Sequence, residues 1–507
     1  MLQIKNLGIN LIKDDRDLLK DFDFALNQGD KVGLIGEEGN GKSILLKTII
    51  DRKSVENYAQ ISGEIYKKEE IIGYLPQSLD EKFLEMTVET YMNKVLDMSL
   101  LDYNKFYKYL DQFGLDEDLV FGKLKLGDLS GGERIKALLL FELLKEPTVF
   151  LFDEPTNDLD YRSASFITKL MAEMKIPLIF VSHDPELLRK VSNRIVHLEQ
   201  VHRRQVPRFT VFNGSYDRYV KERENQIRIQ NARANKEREE FTKKAERYRK
   251  VYDSVNHAIN ATKNDIEGKN LKDKMASVKS LGKRLDKEKE NLTQRPDFED
   301  SIGIFFDECI DIPNSKVVLD FNLDELLAGE KILSKNIDLK VVGPEKICII
   351  GKNGAGKTTL LKEIYKCLEK TNLKIGYMPQ DYFEYLKDSE TPISYLAKQD
   401  SKDEKTRVSN LLGSLNFSRK EMERSLKSLS GGQKAKVFFA KMNMDRAEVL
   451  LLDEPTRNLS PTSQPEIIES LKSYKGAIIA VSHDRDFIRE VFDRVYELDS
   501  KGLMQIN

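Results

Sequence analysis

The sequence KVGLIGEEGNGKS, from Lys31 to Ser43, joins a short apolar run to a glycine-rich loop that ends in lysine and serine. A helical run follows from Ile44, and the same order of strand, loop and helix returns in ICIIGKNGAGKTT around Gly351. In this context the pattern GxxxxGKS/T predicts a phosphate-binding loop. The chain is therefore expected to hold two nucleotide sites.

Each residue type in these loops has a physical reason. The glycines let backbone N–H groups approach phosphate oxygens, the helix N-terminus adds a favourable dipole, and the lysine neutralises the β- and γ-phosphates. The hydroxyls of Ser43 and Thr358 are expected to hold Mg²⁺. The predicted phosphate-binding residues are Gly36, Gly39, Gly41, Lys42 and Ser43 in the first loop and Gly351, Gly354, Gly356, Lys357, Thr358 and Thr359 in the second.

Two acidic pairs close apolar runs later in the chain, in TVFLFDEPT (148–156) and EVLLLDEPT (448–456). Such runs are typical of strands buried on both faces of a parallel sheet. Ligands of open α/β sheets bind at the carboxyl ends of the strands, so both carboxylates of each pair should face the nucleotide. We expect Asp153 and Asp453 on the Mg²⁺ side, and Glu154 and Glu454 to orient or deprotonate the attacking water.

The composition predicts a large soluble protein without a membrane span. A chain of 507 residues is too long for one hydrophobic core, and 33% of it is charged while 40% is apolar. No apolar run approaches the roughly 18 residues of a membrane helix. The start, MLQIKNLGIN, has no basic region followed by a long apolar stretch, so we expect no secretory signal and a cytoplasmic location. Three cysteines without metal-ligand spacing argue against a disulfide framework.

The net charge of -2 conceals a basic segment. Residues 217–297 contain 22 lysines and arginines against 15 aspartates and glutamates, a net charge of +7, so the rest of the chain carries -9. Such segments often contact nucleic acid or an anionic surface. A merely solvated helix face is the alternative interpretation.

Heptad spacing within this segment predicts two amphipathic helices paired as an antiparallel coiled-coil hairpin. The arms are expected to contain roughly 25 to 39 residues and to reach about 40 to 60 Å, with the turn between His257 and Asn270. The predicted seam residues are Val220, Ile227, Ala234, Phe241, Tyr248, Val255, Ala245, Tyr252 and Ile259 in the first arm and Leu271, Val278, Leu285 and Leu292 in the second.

Basic side chains run from the predicted tip into the second arm with little aromatic material among them. Neutralisation of RNA phosphates is therefore favoured over stacking on bases, although lysines that only solvate a coiled coil remain an alternative. The predicted RNA-binding residues are Lys263, Lys269, Lys272, Lys274, Lys279, Lys283 and Arg284.

Further motifs occur once in each copy: LSGGE (129–133) and LSGGQ (429–433), IGYLPQ with Gln77 and IGYMPQ with Gln380, and VSHD at 181 and at 481. The whole set resembles ATP-binding cassette proteins. The resemblance implies an α/β fold of two P-loop cassettes that hydrolyse ATP with Mg²⁺, with the two glutamines also on the metal. It further implies that His183 and His483 contact the γ-phosphate.

In that family the signature serine and glycines of one cassette close over the phosphate loop of the other, so ATP holds the pair together and hydrolysis opens it. The resemblance therefore implies a monomer with an internal cassette pair. Carried over, Ser430, Gly431 and Gly432 cover Lys42, and Ser130, Gly131 and Gly132 cover Lys357.

Three departures from the family pattern concern the nucleotide sites. Glu38 stands where asparagine is common, and INLI and DELLAG lack the usual base-stacking aromatic residue, which puts adenine selectivity in doubt. Ser460 stands where the first copy has Asp160. Since Glu38 and Ser460 both belong to the composite site with Lys42, we expect this site to turn over more slowly than the one with Lys357 and Glu454.

With the basic hairpin, residues 1–216, 217–298 and 299–507 form a cassette, a linker and a cassette, an order similar to the ABC-F proteins. These are twin-cassette ATPases that bind the ribosomal E site and point the hairpin toward the peptidyl-transferase centre. The form DEPTRNLSP resembles the antibiotic-resistance branch. The expected partners are thus the 70S ribosome, its rRNA and the P-site tRNA.

Three other functions remain open from the sequence. The first is a housekeeping ABC-F translation factor. The second is the fused ATPase subunit of an importer, which would not need the basic hairpin. The third is a DNA-maintenance ATPase, which usually splits one cassette around a far longer coiled coil.

Overall fold

The computed structural model describes residues 2–506 except 14, 68, 158, 160, 202–205, 262–264, 291–311, 330, 388, 400, 416 and 458. Asp160 and the predicted RNA contact Lys263 therefore lie outside the described residues, as does the seam residue Leu292. The chain divides into two compact units, one formed by Met1–Tyr216 with Glu299–Asn507 and the other by Asp217–Phe298. Both phosphate loops belong to the first unit. The three predicted domain ranges stay a prediction.

The strands follow in chain order. They are β1 (Leu2–Leu11), β2 (Arg16–Leu26), β3 (Lys31–Ile35), β4 (Ala59–Tyr66), β5 (Ile72–Leu75), β6 (Val149–Asp153), β7 (Leu178–Val181), β8 (Arg194–Gln200), β9 (Val206–Asn213), β10 (Val317–Ala328), β11 (Lys331–Val342), β12 (Lys346–Ile350), β13 (Ile375–Met378), β14 (Val449–Asp453), β15 (Ala477–Val481), β16 (Arg494–Asp499) and β17 (Gly502–Gln505).

The α-helices divide among the two cassettes and the segment between them. In the first cassette they are Lys42–Ile50, Glu81–Leu84, Val88–Val95, Tyr103–Phe113, Glu117–Phe121, Gly131–Leu144, Tyr161–Glu173 and Pro185–Val191, and between the cassettes Tyr216–Ala261 and Asp265–Glu290. In the second cassette they are Lys357–Leu368, Pro392–Leu396, Lys402–Ser414, Arg419–Glu423, Gly431–Met444, Gln464–Ser473 and Arg485–Val491. Short 3₁₀ turns occupy Arg52–Ser54, Tyr382–Glu384 and Leu426–Ser428.

Two six-stranded sheets have the same strand order. The first runs β5-β6-β7-β3-β8-β9 and the second β13-β14-β15-β12-β16-β17, and in each the last strand alone is antiparallel to its neighbour. Smaller antiparallel sheets, β2-β1-β4 and β10-β11, accompany them. The repeated motifs of the sequence thus correspond to a repeated fold, which confirms the predicted pair of α/β cassettes.

The central strands are buried as the apolar runs predict. Every residue of β6 and of β14 is buried, and the rings of Phe150 and Phe152 stack at 4.3 Å between centroids. Leu18, Leu45 and Val181 belong to one apolar cluster, so the antiparallel sheet, the helix after the phosphate loop and the central sheet share a core. This packing fixes the loop at residues 36–41 against the end of β6.

The segment between the cassettes contains the two predicted helices. Their antiparallel pairing is set by an ion pair between Lys244 and Glu288 and by a buried cluster of Val255, Met275 and Val278. The first arm has 46 residues, a length of about 69 Å at 1.5 Å per residue. The predicted upper limit of 39 residues was therefore too short, because the helix begins at Tyr216, before the first seam residue Val220, and continues beyond the last one, Ile259, to Ala261.

The predicted seam is confirmed where the structure describes it. Ala234, Val255, Val278 and Leu285 are buried, and the other described seam residues are half-buried. Met275 joins the seam although the heptad spacing did not include it. None of the helices in the described part of the chain combines the length with the apolar composition that a membrane span requires.

Candidate nucleotide sites

The two phosphate loops hold their lysines in the same way. Lys42 Nζ donates to the carbonyl oxygens of Gly36 at 2.6 Å and Glu37 at 2.9 Å, and Lys357 Nζ donates to those of Gly351 at 2.8 Å and Lys352 at 3.0 Å. Both ammonium groups are thus held inside their loops, which places a positive charge at the start of each following helix. This is the arrangement that a phosphate-binding loop needs.

The last glycine of the first loop is required by its backbone. Gly41 has φ of 87° and precedes the helix Lys42–Ile50, and a Cβ built there would meet Leu18 Cδ1 at 3.0 Å. Most L-residues avoid this left-handed conformation. Glycine therefore serves both the turn and the close approach of the loop to β2.

The residues expected to hold Mg²⁺ come together at the ends of β6 and β14. Ser43 Oγ donates to Asp153 Oδ1 at 3.0 Å, and Thr358 Oγ1 donates to Gln380 Oε1 at 3.4 Å. Both carboxylate oxygens of Asp453 are buried without a hydrogen-bond partner in the part of the chain described. Buried carboxylates need a partner, and a hard divalent cation would supply one.

These residues therefore fit a cation with oxygen ligands. Within the described ranges, no cluster of three or more His, Cys, Asp or Glu side chains could hold a metal by itself. The predicted ligand set differs from such a cluster, because it combines a hydroxyl, an amide and one carboxylate and leaves positions for phosphate and water.

Each acidic pair ends with a glutamate in a strained conformation. Glu154 and Glu454 both have φ of 51°, in the left-handed region that ordinary residues rarely adopt. Burial raises the pKa of Glu154 to about 7 and that of Glu454 to about 8, and for Glu454 the neighbouring Asp453 adds to the effect. A carboxylate with a pKa near neutrality is suited to accept a proton from water.

A histidine faces each of these glutamates. His183 Nε2 lies 3.4 Å from Glu154 Oε1, and His483 Nε2 lies 3.7 Å from Glu454 Oε1. In both copies the backbone N–H of the histidine donates to the other oxygen of the glutamate, at 3.2 Å and 3.4 Å. In each copy the histidine backbone thus holds one oxygen of the glutamate, and the other oxygen lies beside the histidine ring.

The protonation of His183 follows from its surroundings. Burial, and then the charge of Lys42, lowers the pKa of His183 to about 4, so the ring is neutral at pH 7. Nδ1 lies 2.9 Å from the carbonyl oxygen of Leu459, which can only accept. The ring proton therefore belongs on Nδ1, and the free electron pair of Nε2 points toward Glu154.

Leu459 belongs to the second cassette, and further hydrogen bonds connect the two cassettes close to it. Ser460 Oγ donates to Glu37 Oε1 at 3.0 Å, Ser463 Oγ donates to the same oxygen, and Gln464 Nε2 donates to the carbonyl oxygen of His183 at 3.0 Å. Glu37 is 1% exposed and Ser460 is fully buried. The second cassette is thus hydrogen-bonded directly to the first phosphate loop.

Sequence reasoning missed three members of this network. Glu37 lies within the first phosphate loop but was given no role, and Ser463 and Gln464 belong to no motif that the sequence singled out. The three residues come together only because the cassettes meet. One signal could have indicated Glu37. It is an ionisable residue inside a phosphate loop, and the second copy has a serine-rich loop after its acidic pair.

The signature of the second cassette also reaches this loop. The backbone N–H of Gly431 donates to Glu38 Oε2, beside Ser430 and the buried Gly432. The structure thus brings the signature of the second cassette to the phosphate loop of the first cassette, which is the pairing that the resemblance implied. The approach of Ser130, Gly131 and Gly132 to Lys357 stays a prediction.

The two composite sites differ in exposure. Lys352 is exposed in the second loop, whereas Glu37, which stands at the same place in the first loop, is buried. Glu38 and Gly39 are exposed, as are their counterparts Asn353 and Gly354. The side chain of His183 is 18% exposed and that of His483 is 33% exposed. The first site is therefore the more enclosed one.

One cavity of about 1060 Å³ connects the sites. Gln77 and Gln380 line it, as do most of the predicted loop and catalytic residues. At the place expected for a nucleotide base, Leu11, Arg16 and Leu18 line the first side, and Ala328 and Leu333 line the second. The Arg16 guanidinium donates to the carbonyl oxygen of Gly39 at 2.9 Å.

The comparisons with known proteins agree with this architecture. The family model described as ABC transporter matches residues 19–157 and 334–457, which is more than half of the chain. The chain is 28% identical over 541 residues to ABC transporter F family member 2 of Arabidopsis thaliana, covering 96% of this chain and 75% of that relative. It is also 28% identical over 503 residues to the ribosome protection protein VmlR of Bacillus subtilis, covering 96% and 85%.

A solved structure supports the fold alone. The archaeal ribosome recycling factor aABCE1, in complex with the archaeal ribosomal stalk protein aP1, superposes with a TM-score of 0.59 at 19% identity, covering 99% of this chain and 90% of that chain. The chain belongs to the ATP-binding cassette family. Within it, the relatives confirm the predicted resemblance to the F members, and the protein is accordingly a nucleotide-binding ATPase.

Proposed function

We propose that the protein is an ATP-dependent ribosome-binding factor whose paired cassettes control the contact of the basic arm helices with RNA. The observation that carries the proposal is the arm itself. Its six described candidate residues all expose their side chains: Lys269, Lys272, Lys274, Lys279, Lys283 and Arg284. Exposed cations on an elongated helix pair are suited to neutralise phosphates of structured RNA.

The nucleotide chemistry assigns a role to each group of site residues. Lys42 and Lys357 bind the phosphates, while Asp153 and Asp453 hold Mg²⁺ together with the loop hydroxyls and the two glutamines. The metal supplies charge neutralisation at the phosphates. The catalytic glutamates orient the attacking water and take its proton. The backbone N–H groups of the two histidines hold the glutamates in place, and the histidine rings meet the γ-phosphate.

The contacts across the cassettes support a closed form as the binding-competent state. At the first loop the two cassettes already share buried hydrogen bonds through Glu37, whereas Lys352, at the same place in the second loop, is exposed. ATP at the second site completes the closure, and hydrolysis there reverses it and releases the ribosome. The chain works as a monomer, since both halves of each composite site belong to one polypeptide.

The relatives support the choice of partner. VmlR is named a ribosome protection protein, and aABCE1 is titled a ribosome recycling factor. We extend the partnership to the 70S ribosome, with the arm contacting rRNA and the P-site tRNA from the E site, and a cytoplasmic location follows. The form RNLSP in the second cassette and the similarity to VmlR favour protection from antibiotics bound at the peptidyl-transferase centre.

Cosedimentation tests ribosome binding. The double variant Glu154→Gln, Glu454→Gln keeps the site geometry but cannot take a proton from water, so ATP should trap it on ribosomes. We expect ribosome pelleting with ATP, little with ADP, and less when the six arm residues are changed to glutamine. If the trapped variant stayed in the supernatant at moderate salt, the proposal would be wrong.

A growth assay tests the antibiotic role separately. Cells with and without the gene are compared on a panel of peptidyl-transferase inhibitors, and the Glu454→Gln variant serves as the matched control. A resistance factor should raise the inhibitory concentration of at least one drug severalfold. Equal sensitivity across the panel, with ribosome binding intact, would indicate a housekeeping translation role.

A further inference from the structure

The Glu38 carboxylate occupies an anion-binding position of the other cassette. It accepts the hydrogen bond of the Gly431 N–H, the first residue of the 14-residue helix Gly431–Met444. The N-terminus of a helix attracts anions because its N–H groups are unpaired and its dipole is positive there. A protein carboxylate therefore stands where an anion of a ligand could bind.

A buried cation on the same helix adds to this site. Lys434 lies three residues after Gly431 and is 4% exposed, and its ammonium lies 4.0 Å from the centroid of the Phe383 ring. Burial lowers the pKa of Lys434, and the Glu38 carboxylate opposes that effect. Glu38 thus interacts with both the helix N-terminus and a buried positive charge.

The second loop lacks this feature. Asn353 stands at the place of Glu38, and Lys352 at that of Glu37. From its first glycine to its hydroxyl residue, the first loop has a net charge of -1 and the second has +2. The first loop therefore disfavours a highly charged ligand relative to the second.

We propose that the first composite site, when closed, takes a nucleoside diphosphate, with the Glu38 carboxylate in place of the terminal phosphate that would otherwise meet Gly431. One N–H cannot serve two anions, and the two like charges repel each other, so a triphosphate binds only after Glu38 has left. Glu38 is then the residue that sets which nucleotide this site prefers. The inference rests on the proposed function only in taking residues 36–43 as a nucleotide site.

Calorimetry with ADP and with ATP, both with Mg²⁺, tests the inference. The background substitution Lys357→Ala removes the phosphate-binding charge of the second loop, so the remaining binding reports on the first. With Glu38 present, ADP should bind at least as tightly as ATP. Glu38→Gln keeps the size and removes the charge, and it should raise the ATP affinity tenfold or more while changing the ADP affinity less than threefold.

A matched control separates the local effect from net charge. Glu56→Gln makes the same charge change on the first cassette, beside Arg52 on the surface, and it should leave the ATP-to-ADP ratio unchanged. The inference is overturned if Glu38→Gln leaves the ratio unchanged, or if Glu56→Gln raises it equally. Neither measurement involves ribosomes, so failure to cosediment would remove the proposed function and leave this inference standing.

Discussion

The buried contact between Ser460 and Glu37 leads to a sharp prediction. Ser460→Asp gives the second cassette the residue that the first copy has at position 160. Because the first copy has aspartate at this place, the family pattern would predict that the change leaves closure of the first site intact. In this chain the new carboxylate meets Glu37, because the Ser460 hydroxyl lies 3.0 Å from Glu37 Oε1 and both residues are buried.

The size of the effect follows from Coulomb's law. Two carboxylates about 4 Å apart repel each other by about 4 kcal/mol at an effective dielectric constant of about 20. Loss of the hydrogen bond to a charged acceptor adds about 1.5–3 kcal/mol. The closed form of the first site should therefore become at least about 10³-fold less populated, and lower pH should restore part of it, since the two acids can then share a proton.

Energy transfer between one dye on each cassette, without nucleotide, measures this closure. Ser460→Asp should lower the transfer efficiency, and the double variant Glu37→Gln, Ser460→Asp should restore it because the amide can donate to the new carboxylate. The double-mutant cycle should give a coupling of several kcal/mol. An unchanged efficiency in Ser460→Asp, or a loss that Glu37→Gln does not repair, would refute the role given to Glu37.

Three further predictions concern the sites, the loop and the arm. Glu454→Gln should remove the larger part of the steady-state ATPase rate, and Glu154→Gln the smaller part. The activity that remains in Glu154→Gln should rise with pH through about 8, since burial raises the pKa of Glu454 and only its deprotonated form accepts a proton. Gly41→Ala should lower the free energy of unfolding by about 1–2 kcal/mol in denaturant titrations, whereas Gly413→Ala, in a helix with room for a Cβ, should not. Changing the six arm residues from Lys269 to Arg284 to glutamine should flatten the salt dependence of ribosome affinity measured by cosedimentation; an unchanged slope would mean that these residues touch no phosphate.

Much of the fold could be predicted because it depends on local signals. The phosphate loops, the buried strands before Asp153 and Asp453, and the heptad seam are each defined by residues close together in sequence. The arm length was underestimated because the helix extends beyond the seam residues at both ends, from Tyr216 to Ala261. Local sequence patterns predict the presence of a helix more reliably than the residues at which it begins and ends.

The enclosure of the first site could not be predicted in the same way. It depends on Glu37 and Glu38 meeting residues about 400 positions away in the other cassette. The sequence indicated that Glu38 and Ser460 affect one site, but it identified no partner for either residue. The structure instead gives both loop glutamates hydrogen-bond donors across the cassettes, so these charges also hold the halves together.

We propose that nucleotide-closed cassettes direct the cationic arm to ribosomal RNA. This can be seen in an electron cryo-microscopy map of the Glu154→Gln, Glu454→Gln variant with ATP on the 70S ribosome. We expect both cassettes to be closed at the E site, with Lys269 to Arg284 against RNA phosphates near the peptidyl-transferase centre. A particle bound elsewhere, or one whose arm contacts no RNA, would contradict the claim.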